Sequence, residues 1–279
     1  MSGSEKLRHI GFDSLCSYAE SKKGTRYIHS LAPNLSVEGA DNAKRIIGEN
    51  PVLYAVNHQS MLDYFLPLWG VLGSGLPFAR AIAGSNLNNW FVRTFLFDMA
   101  PWGVIWHSKD DGRDMRGYMK AVIDAFGRGD SVLVFPEGTR NRHPEKGLAE
   151  FKTPFFRLVV SAQDRIDKER DSREIYVCPV ACNYDKIPED GFFERIDQPR
   201  TPIGRMKYYF WDFWAGFRWR HFVSEESKGN TIVRFGTPVA LRDIAGEGNK
   251  YEKAERICEA VRGRLETLLS VIKEETARR

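Results

Sequence analysis

Short apolar runs alternate along this chain with longer stretches in which apolar residues return every three or four positions. Runs at 52–56 (VLYAV), 79–83, 103–106, 131–135, 175–182 and 231–235 have the length of strands. A further strand opens the segment LSVEGADNAKRIIGEN, whose remainder reads as a polar stretch. Helical spacing is present in YMKAVIDAF at 118–126 and in TPFFRLVVSA at 153–162, and a helix is expected to follow His58 through Leu72. Near the C-terminus, Ile257, Val261, Leu265, Leu268 and Leu269 line one side of an amphipathic helix. Leu7, Ile10, Leu15, Tyr18 and Ala19 give the first thirty or so residues a helical spacing, broken by Gly11 and then by the charged run SKKG.

Strands that alternate with helices predict an α/β fold, a single domain with a largely parallel sheet flanked by helices. The domain is placed at 35–279, after a short N-terminal helical segment at 1–34. Sheets of this kind carry their active sites beyond the carboxyl ends of strands. His58 and Glu137 fall at such ends.

Composition narrows the picture only a little. Lys and Arg total 41 against 37 Asp and Glu, a net charge of +4 that permits anionic partners without implying nucleic acid. Cys16, Cys178, Cys182 and Cys258 form neither CxxC pairs nor a disulfide framework, which fits a reducing, cytoplasmic compartment. Cys178 and Cys182 read as small hydrophobes on one strand face; no His cluster completes a metal site, and no metal is expected. The start MSGSEKLRH is not a secretory signal, and no apolar stretch reaches the roughly 18 to 20 residues that cross a bilayer. The expectation is a soluble or peripheral protein.

Two segments carry candidate chemistry. His58 and Asp63 stand five positions apart, so neither a continuous helix nor a continuous strand brings them together, and they meet only where the chain turns. At a strand-to-helix junction the carboxylate accepts from one ring nitrogen and fixes the tautomer, while the other nitrogen takes a hydroxyl proton. HxxxxD alone is weak, and a surface or capping histidine is its plain alternative. SVLVFPEGTRNR at 131–142 adds a strand running into a Gly-containing turn, whose exposed N–H groups and Arg140 suit phosphate. An ordinary turn with a solvated Arg is the alternative there.

Together these segments resemble the glycerophospholipid acyltransferase superfamily. NHQSMLD is similar to its first motif, GVIWHSK at 103–109 to its second with Lys in the usual Arg position, FPEGTR to its third, and VCPVA at 177–181 to its fourth. FKTP at 151–154 departs from the family's FKxG. The resemblance implies that His58 and Asp63 are the catalytic pair and that Lys109, Glu137, Gly138, Thr139 and Arg140 bind substrate. Lys109 would act as a point charge rather than a bidentate fork. It also implies transfer of a fatty acyl group from acyl-CoA or acyl carrier protein, with no further cofactor, to 1-acyl-sn-glycerol-3-phosphate, giving phosphatidic acid. NYDKIPED and FGTP at 235–238 resemble the glycerol-3-phosphate branch, which keeps that acceptor open. A nucleophilic Ser60 is the competing chemistry, but its setting lacks a GxSxG elbow. A hydrolase and a catalytically silent lipid-binding protein are the remaining alternatives.

The segment MKYYFWDFWAGFRWRHF at 206–222 is crowded with rings and basic residues and contains no Leu, Ile or Val. Such composition favours a bilayer's headgroup level, so a membrane surface is an expected partner, reached through Trp211, Trp214, Trp219, Arg218 and Arg220. The alternative is that these rings are core.

Overall fold

The computed structural model describes residues 21–84, 104–107, 115–190 and 202–278. The expected helix around Leu7 to Ala19 therefore lies outside the described residues, as do Cys16, Gly103 and Lys109. In chain order the strands are β1 (Asn34–Glu38), β2 (Val52–Val56), β3 (Ala79–Gly84), β4 (Val104–His107), β5 (Ser131–Val134), β6 (Tyr176–Tyr184), β7 (Asn230–Phe235) and β8 (Val239–Ala240). The helices are α1 (Lys22–Leu31), α2 (Ala40–Ile47), α3 (Leu66–Gly73), α4 (Met115–Gly127), α5 (Thr153–Lys168), α6 (Pro202–Phe222), α7 (Glu225–Lys228), α8 (Leu241–Ala245) and α9 (Lys250–Ala277).

One sheet holds all these strands, in the order β1-β7-β6-β2-β5-β3-β4, with β8 alongside β6. Neighbours run parallel except where β6 meets β7 and β8. The expected α/β domain with a largely parallel sheet is what forms. β2 is buried at every position, as an apolar strand covered on both faces should be. Its side chains alternate: Leu53 and Ala55 face a core built with α4, α5 and α9, while Val52, Tyr54 and Val56 face one built with α1, α2 and α3. Cys178 and Cys182 sit together in the second core, both fully buried.

Two helices are hidden in polar sequence. SKKG, read above as an interruption, begins α1, because the Ser21 hydroxyl accepts the Gly24 N–H at 3.1 Å and caps the helix. The stretch ADNAKRII forms α2, burying Ala40, Ala43 and Ile47 at intervals of three and four. Gly39 makes the turn into it at φ +74°, where a Cβ would lie 2.1 Å from the Phe235 carbonyl oxygen.

The three tryptophans of 206–222, equivalent by composition, part company in the fold. Trp219 belongs to the core: it is 5% exposed, and its Nε1–H donates to the Leu31 carbonyl at 2.8 Å. Trp211 and Trp214 are 46% and 43% exposed. The helical period explains the division, since Ala215 and Trp219 share the inward stripe of α6 while Phe210, Trp214 and Phe217 share the outward one. Trp219→Ala should therefore lower folding stability by about 3–5 kcal/mol, whereas Trp214→Ala should change it by no more than about 0.5 kcal/mol. Urea denaturation of the two variants checks this, and equal losses would contradict the placement.

Candidate active site

β2, β5 and β6 are adjacent and parallel, so their carboxyl ends open on the same edge of the sheet. Ala55 pairs with Val134, which sets the segment after β2 beside the segment after β5. The first of these is anchored at Asn57. Its side-chain amide donates to the Cys182 carbonyl at 3.0 Å and accepts the Cys182 N–H at 2.7 Å, extending the β2–β6 pairing by side-chain means.

After Asn57 the chain turns into a short 3-10 helix, Met61–Tyr64. Ser60 and Asp63 form a capping box around its start: the Ser60 hydroxyl accepts the Leu62 N–H, and Asp63 accepts the Ser60 N–H. That box delivers Asp63 to His58. His58 Nδ1 lies 3.0 Å from Asp63 Oδ2, and both side chains are buried, at 4% and 0% exposure. A carboxylate only accepts, so Nδ1 carries a proton, and in the neutral imidazole Nε2 is the acceptor. Nε2 meets the Tyr64 hydroxyl at 3.3 Å, and the ring stacks on Phe135 with centroids 4.2 Å apart. The helix expected after His58 is thus interrupted, with α3 starting only at Leu66.

The second segment holds His58 by its backbone. Glu137 Oε1 accepts the His58 N–H at 2.7 Å, and the Asn141 N–H donates to the His58 carbonyl at 2.6 Å. Gly138 at φ +72° closes the turn between them, its N–H donating to the Phe135 carbonyl. Thr139 is exposed at the tip of this turn.

Glu137 is turned toward the loop after β2. It is 2% exposed, and its other oxygen, Oε2, accepts the Ala149 N–H at 2.8 Å. Burial pushes its carboxyl above the usual range, and the His58 and Ala149 N–H groups pull the other way. The geometry makes it a strut between two loops, with each carboxylate oxygen on a backbone N–H group.

Arg140 comes from the same turn and is held by a residue that sequence reasoning missed. Its Nη1–H donates to Glu189 Oε1 at 2.7 Å, and its Nη2–H to the Tyr208 hydroxyl at 3.3 Å. Glu189 is fully buried and also accepts the Ser60 hydroxyl at 2.9 Å and the Met61 N–H at 2.6 Å. Tyr184, at the end of β6, donates its hydroxyl to Asp63 Oδ1 at 2.5 Å. Both lie in NYDKIPED; only the pairing of β6 beside β2 brings them to the site. Among the described residues, no group of three His, Cys, Asp or Glu side chains is arranged to hold a metal ion.

The arrangement can do base chemistry: an oriented imidazole stands at the carboxyl edge of the sheet, on a loop that Glu189 ties to the Arg140 guanidinium. Among curated proteins, dihydroxyacetone phosphate acyltransferase from Homo sapiens is 25% identical over 251 residues, which cover 87% of this chain and 34% of that protein. A glycerol-3-phosphate acyltransferase from Xylella fastidiosa is 23% identical over 225 residues, covering 76% of this chain and 23% of that protein. The chain thus spans about a third or less of the length of these relatives. Among solved structures, the 1-acyl-sn-glycerophosphate acyltransferase from Thermotoga maritima matches with a TM-score of 0.48 and 16% identity, covering 95% of this chain and 84% of that one. The family model for acyltransferases matches residues 34–183, more than half of the chain, and takes in His58, Asp63, Glu137 and Arg140; the chain belongs to the acyltransferase family.

Proposed function

We propose that this protein transfers a fatty acyl group from a thioester, acyl-CoA or acyl carrier protein, to a hydroxyl of a phosphate-bearing three-carbon acceptor. The observation that carries this reading is the buried His58–Asp63 pair, 3.0 Å apart, on a loop that Glu189 ties to Arg140. The acceptor hydroxyl takes the position of the Tyr64 hydroxyl at Nε2 and gives its proton to His58. Its oxygen attacks the thioester carbonyl carbon, the C–S bond breaks as the tetrahedral intermediate collapses, and His58 returns the proton to the departing sulfur. An ester and a free thiol result. Asp63 holds the imidazole in the required tautomer throughout.

Arg140, Gly138, Thr139 and Lys109 are assigned to the acceptor phosphate, Arg140 first among them. Glu189 and Tyr208 fix its guanidinium, and a planar fork already aimed loses less freedom on binding phosphate. The relatives named for dihydroxyacetone phosphate and glycerol 3-phosphate, together with NYDKIPED, favour an acceptor without an acyl chain. The second reading is 1-acyl-sn-glycerol-3-phosphate, giving phosphatidic acid. It is supported by an apolar cavity of about 150 Å³ beside Met61, lined by Tyr27, Phe65, Gly216 and Trp219, which suits hydrocarbon.

Contact with a membrane surface is part of the proposal. No helix among the described residues is long and apolar enough to cross a membrane. Phe210, Trp211, Trp214, Phe217 and Phe222 are all exposed on α6, with Arg218 and Arg220 exposed between them. An outward cluster of rings edged by guanidinium groups matches the headgroup level of a bilayer.

Thiol release measured over a panel of donors and acceptors tests the activity. Release is expected only with a phosphate-bearing acceptor present; release without any acceptor would mean a hydrolase. His58→Ala should lower kcat by about a hundredfold or more while the protein stays folded. Arg140→Ala should raise acceptor KM by about tenfold to a hundredfold. A rise in donor KM instead would assign the turn to the donor's phosphates. Vesicle sedimentation tests the surface: Trp211→Ala with Trp214→Ala should weaken binding at any salt. Arg218→Ala with Arg220→Ala should weaken it only for anionic vesicles at low salt, given a Debye length of about 8 Å at physiological ionic strength. Wild-type binding by both variants would remove α6 from the interface.

A further inference from the structure

Asp63 has two oxygens, and orientation of the imidazole uses one. Oδ2 meets His58 Nδ1 at 3.0 Å and accepts the N–H groups of Gln59 at 2.7 Å and Ser60 at 2.8 Å. Oδ1 faces β6 and accepts the Tyr184 hydroxyl at 2.5 Å. We propose that Tyr184 is a positioning residue of the reaction: by drawing negative charge toward Oδ1, it weakens the pull of Asp63 on the His58 proton and keeps the imidazole a neutral, available base. The inference rests on the acyl-transfer reading, in which His58 accepts the hydroxyl proton.

The charge of a carboxylate is shared between its oxygens, and a short hydrogen bond to one lowers the density on the other. An imidazolium at His58 is stabilised by whatever charge Oδ2 retains. With Tyr184 donating, that stabilisation is smaller, so His58 gives up its proton at a lower pH. Tyr184 is suited to this because it stays a donor. Loss of water contact, and then the Asp63 charge, hold its phenol well above the usual range.

The fold fixes the contact from several sides. Tyr184 is the last residue of β6, where it pairs with Thr231 of β7, and Asn57 locks the β2 end to Cys182 two residues earlier. Five positions on, Glu189 takes the Ser60 hydroxyl and the Met61 N–H, so the segment 184–189 grips the 58–63 loop at two points. Titratable groups around the pair, among the described residues, include Tyr64 across the imidazole, Glu137 under the His58 backbone, Cys182 beside Tyr184 and Glu189 at Ser60. The described contact to Asp63 Oδ1 is that of Tyr184.

The test is the pH profile of kcat/KM for thiol release, measured on three forms of the whole chain with glycerol 3-phosphate and 1-acyl-sn-glycerol-3-phosphate as acceptors. In Tyr184→Phe the donor is lost, Asp63 pulls harder on the proton, and the acid limb should move up by about half a pH unit or more. With 3-fluorotyrosine at 184, a stronger donor, the limb should move the other way. Opposite displacements are what a merely structural role would not produce. Thermal denaturation of both forms checks that they remain folded, and the fluorinated form keeps the test decisive if the Phe variant does not. Acid limbs that coincide with the wild type would overturn the proposal and leave the acyl-transfer reading standing. A wild type that releases no thiol with any phosphate-bearing acceptor would take down both.

Discussion

Four consecutive backbone N–H groups, those of residues 58 to 61, each end on a buried carboxylate. His58 donates to Glu137, Gln59 and Ser60 donate to Asp63, and Met61 donates to Glu189. An ionised carboxylate is stable away from water only when hydrogen bonds replace its hydration, and a buried N–H needs an acceptor. Each requirement answers the other here. The loop has one shape because three acidic side chains, brought in by three different parts of the chain, demand its N–H groups in a fixed arrangement. His58 takes its place from that shape.

The sheet makes this convergence possible. β5 and β6 flank β2 in parallel, so the segments bearing Glu137 and Glu189 arrive on either side of the loop after β2. Glu189 also reaches the Arg140 guanidinium, which ties a basic group to the same lattice. Breaking such a buried pair by removing one partner is expensive, on the order of 3–5 kcal/mol, which favours a site set before substrate arrives. Preset geometry is what a general base requires, since small misplacements of reacting groups slow reactions steeply.

Much of this was legible in the sequence, and the exceptions have physical causes. The strands and the long amphipathic helices follow from apolar periodicity. His58 and Asp63 could be paired because their contact is local, five positions apart across a turn that Ser60 caps. Tyr184 and Glu189 could not, because their roles depend on strand order, and nothing in NYDKIPED says that β6 lies against β2. The bracing contacts of Glu137 were hidden for a related reason. An acidic residue in a Gly-containing turn after a strand has the look of a ligand, and only the tertiary structure shows both of its oxygens occupied by backbone N–H groups. Trp219 differs from Trp211 and Trp214 by its phase on a helix whose composition carries no apolar stripe of Leu, Ile or Val.

The central claim is that buried carboxylates shape the loop on which His58 works, and Glu137→Gln tests it directly. The amide nearly preserves volume but sets an NH2 group against one of two N–H donors, so the loop loses a contact while the phosphate-binding groups are untouched. Steady-state kinetics should show kcat reduced by about tenfold or more, with acceptor KM nearly unchanged. A raised acceptor KM with kcat intact would contradict the account, because Glu137 would then be a substrate ligand.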